Sequence, residues 1–190
     1  MFLSSRFTDA LVFAAQLHAD QVRKLTGTPY LAHLLRVAGI ALEYGADEDE
    51  AIAALLHDAI EDRGGPAARQ AIEQRFGQRV ADIVVGCSDT DKSPKPPWRQ
   101  RKEAYLAQLA QASPSVRLVS AADKLDNVRS LIASYRQLGA AVWQHFRGGR
   151  EGTLWYFRGV IEAQKQAGAS PIVEELERAV SELDRVANAR

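Results

Sequence analysis

The chain has 190 residues, 46% of them apolar or aromatic, enough to bury one sizeable core without disulfides or a structural metal. Lysine plus arginine and aspartate plus glutamate balance at 24 each, so no global field draws in nucleic acid or a membrane, and an anionic ligand must be met by a local basic cluster. The lone Cys87 fits a reducing cytoplasm, no run approaches the roughly 18 apolar residues of a membrane span, and Leu11–Ala15 is interrupted by Gln16 and His18 too soon for an export signal.

Helical spacing dominates, without convincing alternation of β-branched residues, and predicts an all-α single domain. A first helix is expected from near Phe7, capped by Thr8, with Leu11, Ala14, His18 and Val22 on one stripe; it fails at the turn-forming Thr26–Gly27–Thr28–Pro29. A second runs from about Tyr30 to Tyr44, closed by Gly45. The third has the best start signal: Asp47 caps, Glu50 reaches back, and Glu48 and Asp49 suit the positive end of the helix dipole. It is expected to continue to Asp62 and stop at Arg63–Gly64–Gly65–Pro66. Pro66 starts a fourth helix that ends before Gly77, and a fifth spans about Gln78–Ser88. Pro94, Pro96 and Pro97 make Asp91–Trp98 a loop. Helices follow at Arg99–Gln111, Pro114–Arg136 with Ser113 capping, Thr153–Ala167 and Pro171–Ala187, and Gly148–Gly152 reads as a hinge or loop.

His57–Asp58 ends a helix whose preceding turns are almost wholly apolar, where a partly buried imidazole and carboxylate need partners or a cation. His33 opens a neighbouring helix, and Asp123 lies in an apolar stretch of another. Two imidazoles and two carboxylates form a mixed nitrogen–oxygen set that suits Mn²⁺, Fe²⁺ or Zn²⁺ better than Ca²⁺. Taken singly, each has a plainer reading: a hydrogen-bonded His–Asp pair, Asp123 paired with Lys124 or Arg129, and a helix-start His33. His18 reads as a buried hydrogen-bonding histidine, and His145 carries no special signal. Glu61 and Asp62 stand one turn beyond His57 and Asp58, where they either serve catalysis or complement Arg63.

Three blocks tie these residues together: Arg23 to His33, Ala54 to Asp62, and Ala122 to Arg129. In this order they resemble the hydrolase domain of the RelA/SpoT family, within the HD superfamily, and above all its single-domain small alarmone hydrolases. The resemblance runs from residue 7 to about residue 165, and no synthetase or regulatory segment is expected beside it. It implies an HD-type bundle of about eight or more helices over residues 1–190. The implied activity is Mn²⁺-dependent removal of the 3′-pyrophosphate from guanosine tetraphosphate and pentaphosphate. Matching motif positions make His33, His57, Asp58 and Asp123 the metal ligands and Glu61 and Asp62 the catalytic carboxylates, with Arg23, Lys24 and Asn127 holding substrate. The chain departs from the family in a Lys24–Pro29 turn one residue longer than in the bifunctional enzymes, and in the composition of its Pro-rich loop.

Asp123, Asn127, Ser130 and Ser134 recur at helical spacing, a polar stripe that either lines a nucleoside pocket or faces solvent; Ser130 joins the substrate-binding set on this ground. Trp98, Arg99, Arg101 and Lys102 close over phosphates or anchor a loop, Arg147 and Arg150 carry no firmer signal, and Trp155, Tyr156 and Phe157 read as core. The expected partner is a small guanine nucleotide, without nucleic acid or membrane. Other nucleotide phosphohydrolases, such as an NADPH 2′-phosphatase or a nucleoside monophosphatase, stay open, as does a catalytically idle nucleotide sensor.

Overall fold

Short-range capping chemistry sets the starts of three helices and the glycine closure of several others. The computed structural model describes residues 2–90, 94–166, 168 and 170–188. Among them lie ten α-helices and one 3₁₀ segment: α1 (Ser5–Leu17), α2 (Leu31–Glu43), α3 (Glu48–Leu56), α4 (Ala59–Arg63), α5 (Gly65–Phe76), α6 (Gln78–Cys87), α7 (Trp98–Ala110), α8 (Pro114–Leu138), the 3₁₀ segment Gly139–His145, α9 (Gly149–Lys165) and α10 (Pro171–Asn188). The only β-type pairing in this set is an isolated bridge between Val22 and Pro29. The all-α expectation holds.

The capping box before α3 forms as read: Glu50 N donates to Asp47 Oδ1 (3.0 Å) and Asp47 N donates to Glu50 Oε2 (2.8 Å). Gly45, at φ +88°, closes α2, and Ala46 N reaches back to Ala41 O (3.0 Å), satisfying a carbonyl the helix leaves open. Ser113 caps α8 through Val116 N (3.3 Å). Helix α8 is the centre of the fold, packing against α2, α3, α6 and α10. Residues Ala51–Leu56 of α3 are fully buried beside it.

Four expectations are corrected. Helix α1 starts earlier: Ser4, not Thr8, is the cap, its Oγ accepting from Arg6 N (3.2 Å) while its N–H donates to Glu48 Oε1 (2.5 Å). It also ends at Leu17, so Val22 leaves the stripe and is 54% exposed in the following loop. The third helix does not run through to Asp62. It breaks at His57–Asp58, where Asp58 takes φ −97° and ψ 0°, a conformation common at turns and active sites. The glycine-rich stretch after Arg147 is the first turn of α9 rather than a hinge, and the 3₁₀ segment before it went unforeseen. Of the expected loop Asp91–Trp98 residues 91–93, and of the helix expected to Ala167 that last residue, lie outside the described residues.

Candidate metal centre and substrate cleft

The break at His57–Asp58 turns two neighbouring side chains toward one point, which a continuous helix would splay by about 100°. His33 from α2 and Asp123 from α8 meet them there. His57 Nε2 lies 3.1 Å from Asp58 Oδ2 and 3.5 Å from Asp123 Oδ1. His33 Nε2 lies 3.3 Å from Asp123 Oδ1 and 3.7 Å from Asp58 Oδ2. Ligand atoms of His33, His57 and Asp58 all fall within 4.8 Å of one another, close enough to share one ion.

The other edge of each ring decides what this cluster can hold. His57 Nδ1 donates to Ala54 O (2.8 Å), and His33 Nδ1 donates to Asp126 Oδ2 (2.6 Å). Both Nε2 atoms therefore face two carboxylates, and His57 Nε2 is buried with no hydrogen-bond partner among the described residues. Lone pairs pointed at carboxylates repel unless a cation or protons stand between them. The donor set fits a divalent ion of the Mn²⁺, Fe²⁺ or Zn²⁺ type.

The charge state agrees. Burial disfavours charge on His33, yet the carboxylates of Asp123, Asp126 and Asp58 outweigh it and lift the imidazole to about 9. Burial likewise works against a charged His57, which Asp58 and Asp123 push well above its ordinary value. Asp58 and Asp123 are themselves held well below the carboxylate range despite burial, Asp58 chiefly by His57 and Asp123 by Lys124 and His57. Lys124 Nζ contacts Asp123 Oδ2, so the plain ion pair does form; it leaves Oδ1 to the histidines and to Asn127 Nδ2 (2.5 Å). Tyr30 donates its phenol to Asp58 Oδ2 (2.5 Å).

Asp58 opens into a cleft of about 810 Å³ that also receives Glu61, Asp62, Arg23, Lys24, Asn127 and Ser130. Arg23 and Lys24 reach it from a loop pinned by backbone bonds from Arg23 N to Thr28 O (2.8 Å) and from Tyr30 N to Gln21 O (2.9 Å), with Gly27 at φ +66° making its tip. Arg23 Nη2 donates to Asn127 Oδ1 (2.9 Å), joining loop to α8. A side lobe of about 280 Å³ opens off the cleft between Trp98, Phe146, Tyr156 and Phe157, and Arg23, Asn127 and Ser130 border both spaces. Ser134 is buried and lines neither.

Glu61 and Asp62 do not complement Arg63, which instead donates to Asp20 Oδ1 (2.5 Å) and Gln21 Oε1 (3.0 Å). Asp62 accepts from Gln21 Nε2 (2.8 Å), and Glu61 accepts from Lys95 Nζ (2.9 Å). Burial, and then the charge of Asp89, raise the Glu61 carboxyl above its ordinary value, while Lys95 pulls it back.

The sequence pattern described as HD domain matches residues 10–154. The chain belongs to the HD-domain family. This HD domain is 38% identical over 122 residues to the guanosine-3′,5′-bis(diphosphate) 3′-pyrophosphohydrolase of Aquifex aeolicus, covering 64% of the chain but only 17% of that protein. It is 40% identical over 126 residues to the enzyme of that activity called MESH1 in Xenopus tropicalis (65% of the chain, 68% of the relative) and 36% identical over 131 residues to the human one (67% and 70%). A solved structure described as a metazoan orthologue of SpoT that hydrolyses ppGpp and acts in starvation responses superposes with a TM-score of 0.80. It is 27% identical, with 96% of this chain and 98% of that one covered.

Within this HD domain, several residues that shape the site carried no warning in the sequence. Asp126, Tyr30 and Gln21 touch the proposed ligands or carboxylates only through tertiary contact, Lys95 enters the cleft from an irregular segment, and His145 enters it from the end of the 3₁₀ segment. His18 is buried and bonded to Gln21 Oε1 (2.7 Å), as a structural histidine should be, although its Nε2 has no partner among the described residues. Arg101 and Lys102, considered for phosphate closure, are largely occupied by Asp89 at 2.5 and 2.8 Å. Trp98 is a packed wall: its ring lies against Trp155 (6.2 Å between centroids) and fills the notch left by Gly148 and Gly152. Tyr156 and Phe157 are buried as expected, yet also line the side lobe.

Proposed function

We propose that this chain is a divalent-metal phosphohydrolase that removes the 3′-pyrophosphate from guanosine tetraphosphate and pentaphosphate, giving GDP or GTP and pyrophosphate. The observation that carries the reading is the convergence of His33, His57, Asp58 and Asp123 beside a cleft lined with arginine and lysine. The substrate class is suggested by the activity of the MESH1 relatives, which this chain matches over two thirds of their own length. We take Mn²⁺ as the ion, residues 1–190 as one domain with a shared core, and the cytoplasm as the compartment, in keeping with the single Cys87. No described helix is long and apolar enough to cross a membrane.

When bound, the ion supplies Lewis acidity toward water and toward a phosphoryl oxygen. Glu61, whose carboxyl is raised by its buried setting, accepts the proton as water attacks the phosphorus joined to the ribose 3′-oxygen. The phosphorus–O3′ bond breaks, and the departing 3′-oxygen takes a proton from solvent while Glu61 returns the proton it accepted, so that one water is consumed in all. Asp62, fixed by Gln21, organises that leaving side. Arg23, Lys24, Asn127 and Ser130 hold the nucleotide, with the base directed to the aromatic side lobe. Balanced net charge and a cleft of about 810 Å³ suit a small anion better than a nucleic acid.

The test is turnover of a nucleotide panel with Mn²⁺. Pyrophosphate from guanosine tetraphosphate supports the reading; phosphate from NADPH or nucleoside monophosphates alone overturns the substrate, and tight binding with no turnover overturns the enzyme. A Glu61→Gln, Asp62→Asn double variant should keep its metal and lose at least about 10²-fold in kcat. Unchanged turnover in that variant removes both residues from the mechanism.

A further inference from the structure

A carboxylate buried in the middle of the central helix needs an explanation. Asp126 lies three residues beyond Asp123 on α8 and is only 3% exposed, where an ionised group without partners is strongly disfavoured. Its partners are specific. Oδ2 accepts from His33 Nδ1 at 2.6 Å, and the Arg36 fork closes on both oxygens, Nε to Oδ1 at 2.5 Å and Nη2 to Oδ2 at 3.2 Å.

We infer that Asp126 is a positioning residue that sets the tautomer and ring angle of His33 and so presents its Nε2 to the metal. An ionised carboxylate only accepts, so the proton of a neutral His33 ring is confined to Nδ1 and the lone pair to Nε2. That Nε2 faces Asp58 and Asp123 at 3.7 and 3.3 Å, on the side where the ion would sit. Arg36, its side chain 47% exposed, grips the carboxylate from the outer side and keeps it from turning away from the ring. His57 receives the same assignment by another device, the carbonyl of Ala54 (2.8 Å). Only one of the two imidazoles is therefore set by a side chain, which substitution can remove without touching a proposed ligand.

The inference rests on the metal role proposed for His33, and the experiment separates the two. Zn²⁺, being diamagnetic, serves as the probe for calorimetry and for ¹⁵N NMR of the histidine rings. In the wild-type protein the Zn²⁺-loaded spectrum should show His33 protonated at Nδ1 and coordinated through Nε2. Asp126→Asn offers one acceptor where three donor contacts now converge, so Zn²⁺ should bind about 10–100-fold more weakly and the His33 Nδ1–H resonance should shift or be lost to exchange. Zn²⁺ affinity within about twofold of wild type would overturn the positioning role alone, since loss of a carboxylate that orients a ligating imidazole costs about 10–100-fold. Coordination of wild-type His33 through Nδ1 would overturn it too, independently of how the variant folds. Failure of the wild-type chain to bind Zn²⁺ at all would overturn the metal reading, and this inference with it.

Discussion

A methyl group added at Gly148 would lie 2.6, 2.9 and 3.0 Å from three carbons of the Trp98 ring, closer than carbon atoms approach without displacement. The backbone is not the obstacle, since Gly148 sits at φ −82° and ψ −4°, open to any residue. Trp155 stands edge-on to the ring at 6.2 Å and Gly152 lies against the same edge, so relief means swinging the ring toward the cleft and side lobe that it lines. Overpacking of this kind costs about 1–3 kcal/mol, which for a chain of this size lowers Tm by about 2–12 °C. Gly152→Ala is the control. Its methyl would stand 3.2 Å from the ring, and alanine inside α9 recovers up to about 1 kcal/mol of helix propensity, so its Tm should stay within about 4 °C of wild type. Because Trp98 walls both the cleft and the side lobe, Gly148→Ala should also raise KM for the nucleotide more than it lowers kcat. Differential scanning calorimetry and steady-state kinetics read both effects. A Gly148→Ala protein as stable as wild type, or one destabilised with KM unmoved, would refute the argument that this ring wedges the substrate wall in place.

Gln21→Ala removes the amide that donates to Asp62 while leaving every proposed ligand intact; kcat should fall about tenfold or more with Mn²⁺ affinity unchanged, which calorimetry beside kinetics will check. Lys95→Ala takes away the charge that draws the Glu61 carboxyl down against burial and Asp89, so that carboxyl should move further up and the acid limb of the kcat–pH profile should shift to higher pH. The shift should shrink in high salt, because Lys95 is 37% exposed, and movement to lower pH would count against Glu61 as the proton acceptor. Stripping the metal with a chelator should lower Tm by about 5–10 °C relative to protein held at a hundred times its Kd for Mn²⁺, and Mn²⁺ should restore it. A Tm indifferent to chelation and to added metal would contradict the ligand set.

How much of this was legible in the chain depends on range. The Asp47–Glu50 box, the Gly45 closure of α2 and the Ser113 cap are decided within a few residues, and each is legible in the sequence. The break at His57–Asp58 is not, because Ala51–Asp62 has no Gly or Pro and its propensity favours one continuous helix. The glycines after Arg147 misled for the opposite reason. They look like loop punctuation, but Gly148 and Gly152 are small because Trp98, some 50 residues earlier in the chain, occupies the space a Cβ would take. Asp126, Gln21 and Tyr30 act on partners 93, 41 and 28 residues away, and no local pattern announces a contact of that kind.

This division by range runs through the site itself. The proposed ligands come from α2, the α3–α4 junction and α8, buried elements whose packing leaves their side chains little choice. The surfaces that would discriminate one nucleotide from another come from elsewhere: the Arg23–Thr28 loop, the segment from Lys95 to Trp98, and the Phe146–Gly148 corner. Two of them, the Lys24–Pro29 turn and the Pro-rich approach to Trp98, are where the sequence resemblance to the bifunctional enzymes is expected to fail. A metal centre of this kind can hydrolyse many phosphate esters, because Lewis acidity and a carboxylate base recognise the phosphoryl group and not the nucleoside. Substitutions at His57 or Asp123 should therefore depress turnover of every substrate alike, whereas changes at Trp98, Phe146 or Arg147 should alter the ratio of kcat/KM between substrates while leaving metal affinity untouched.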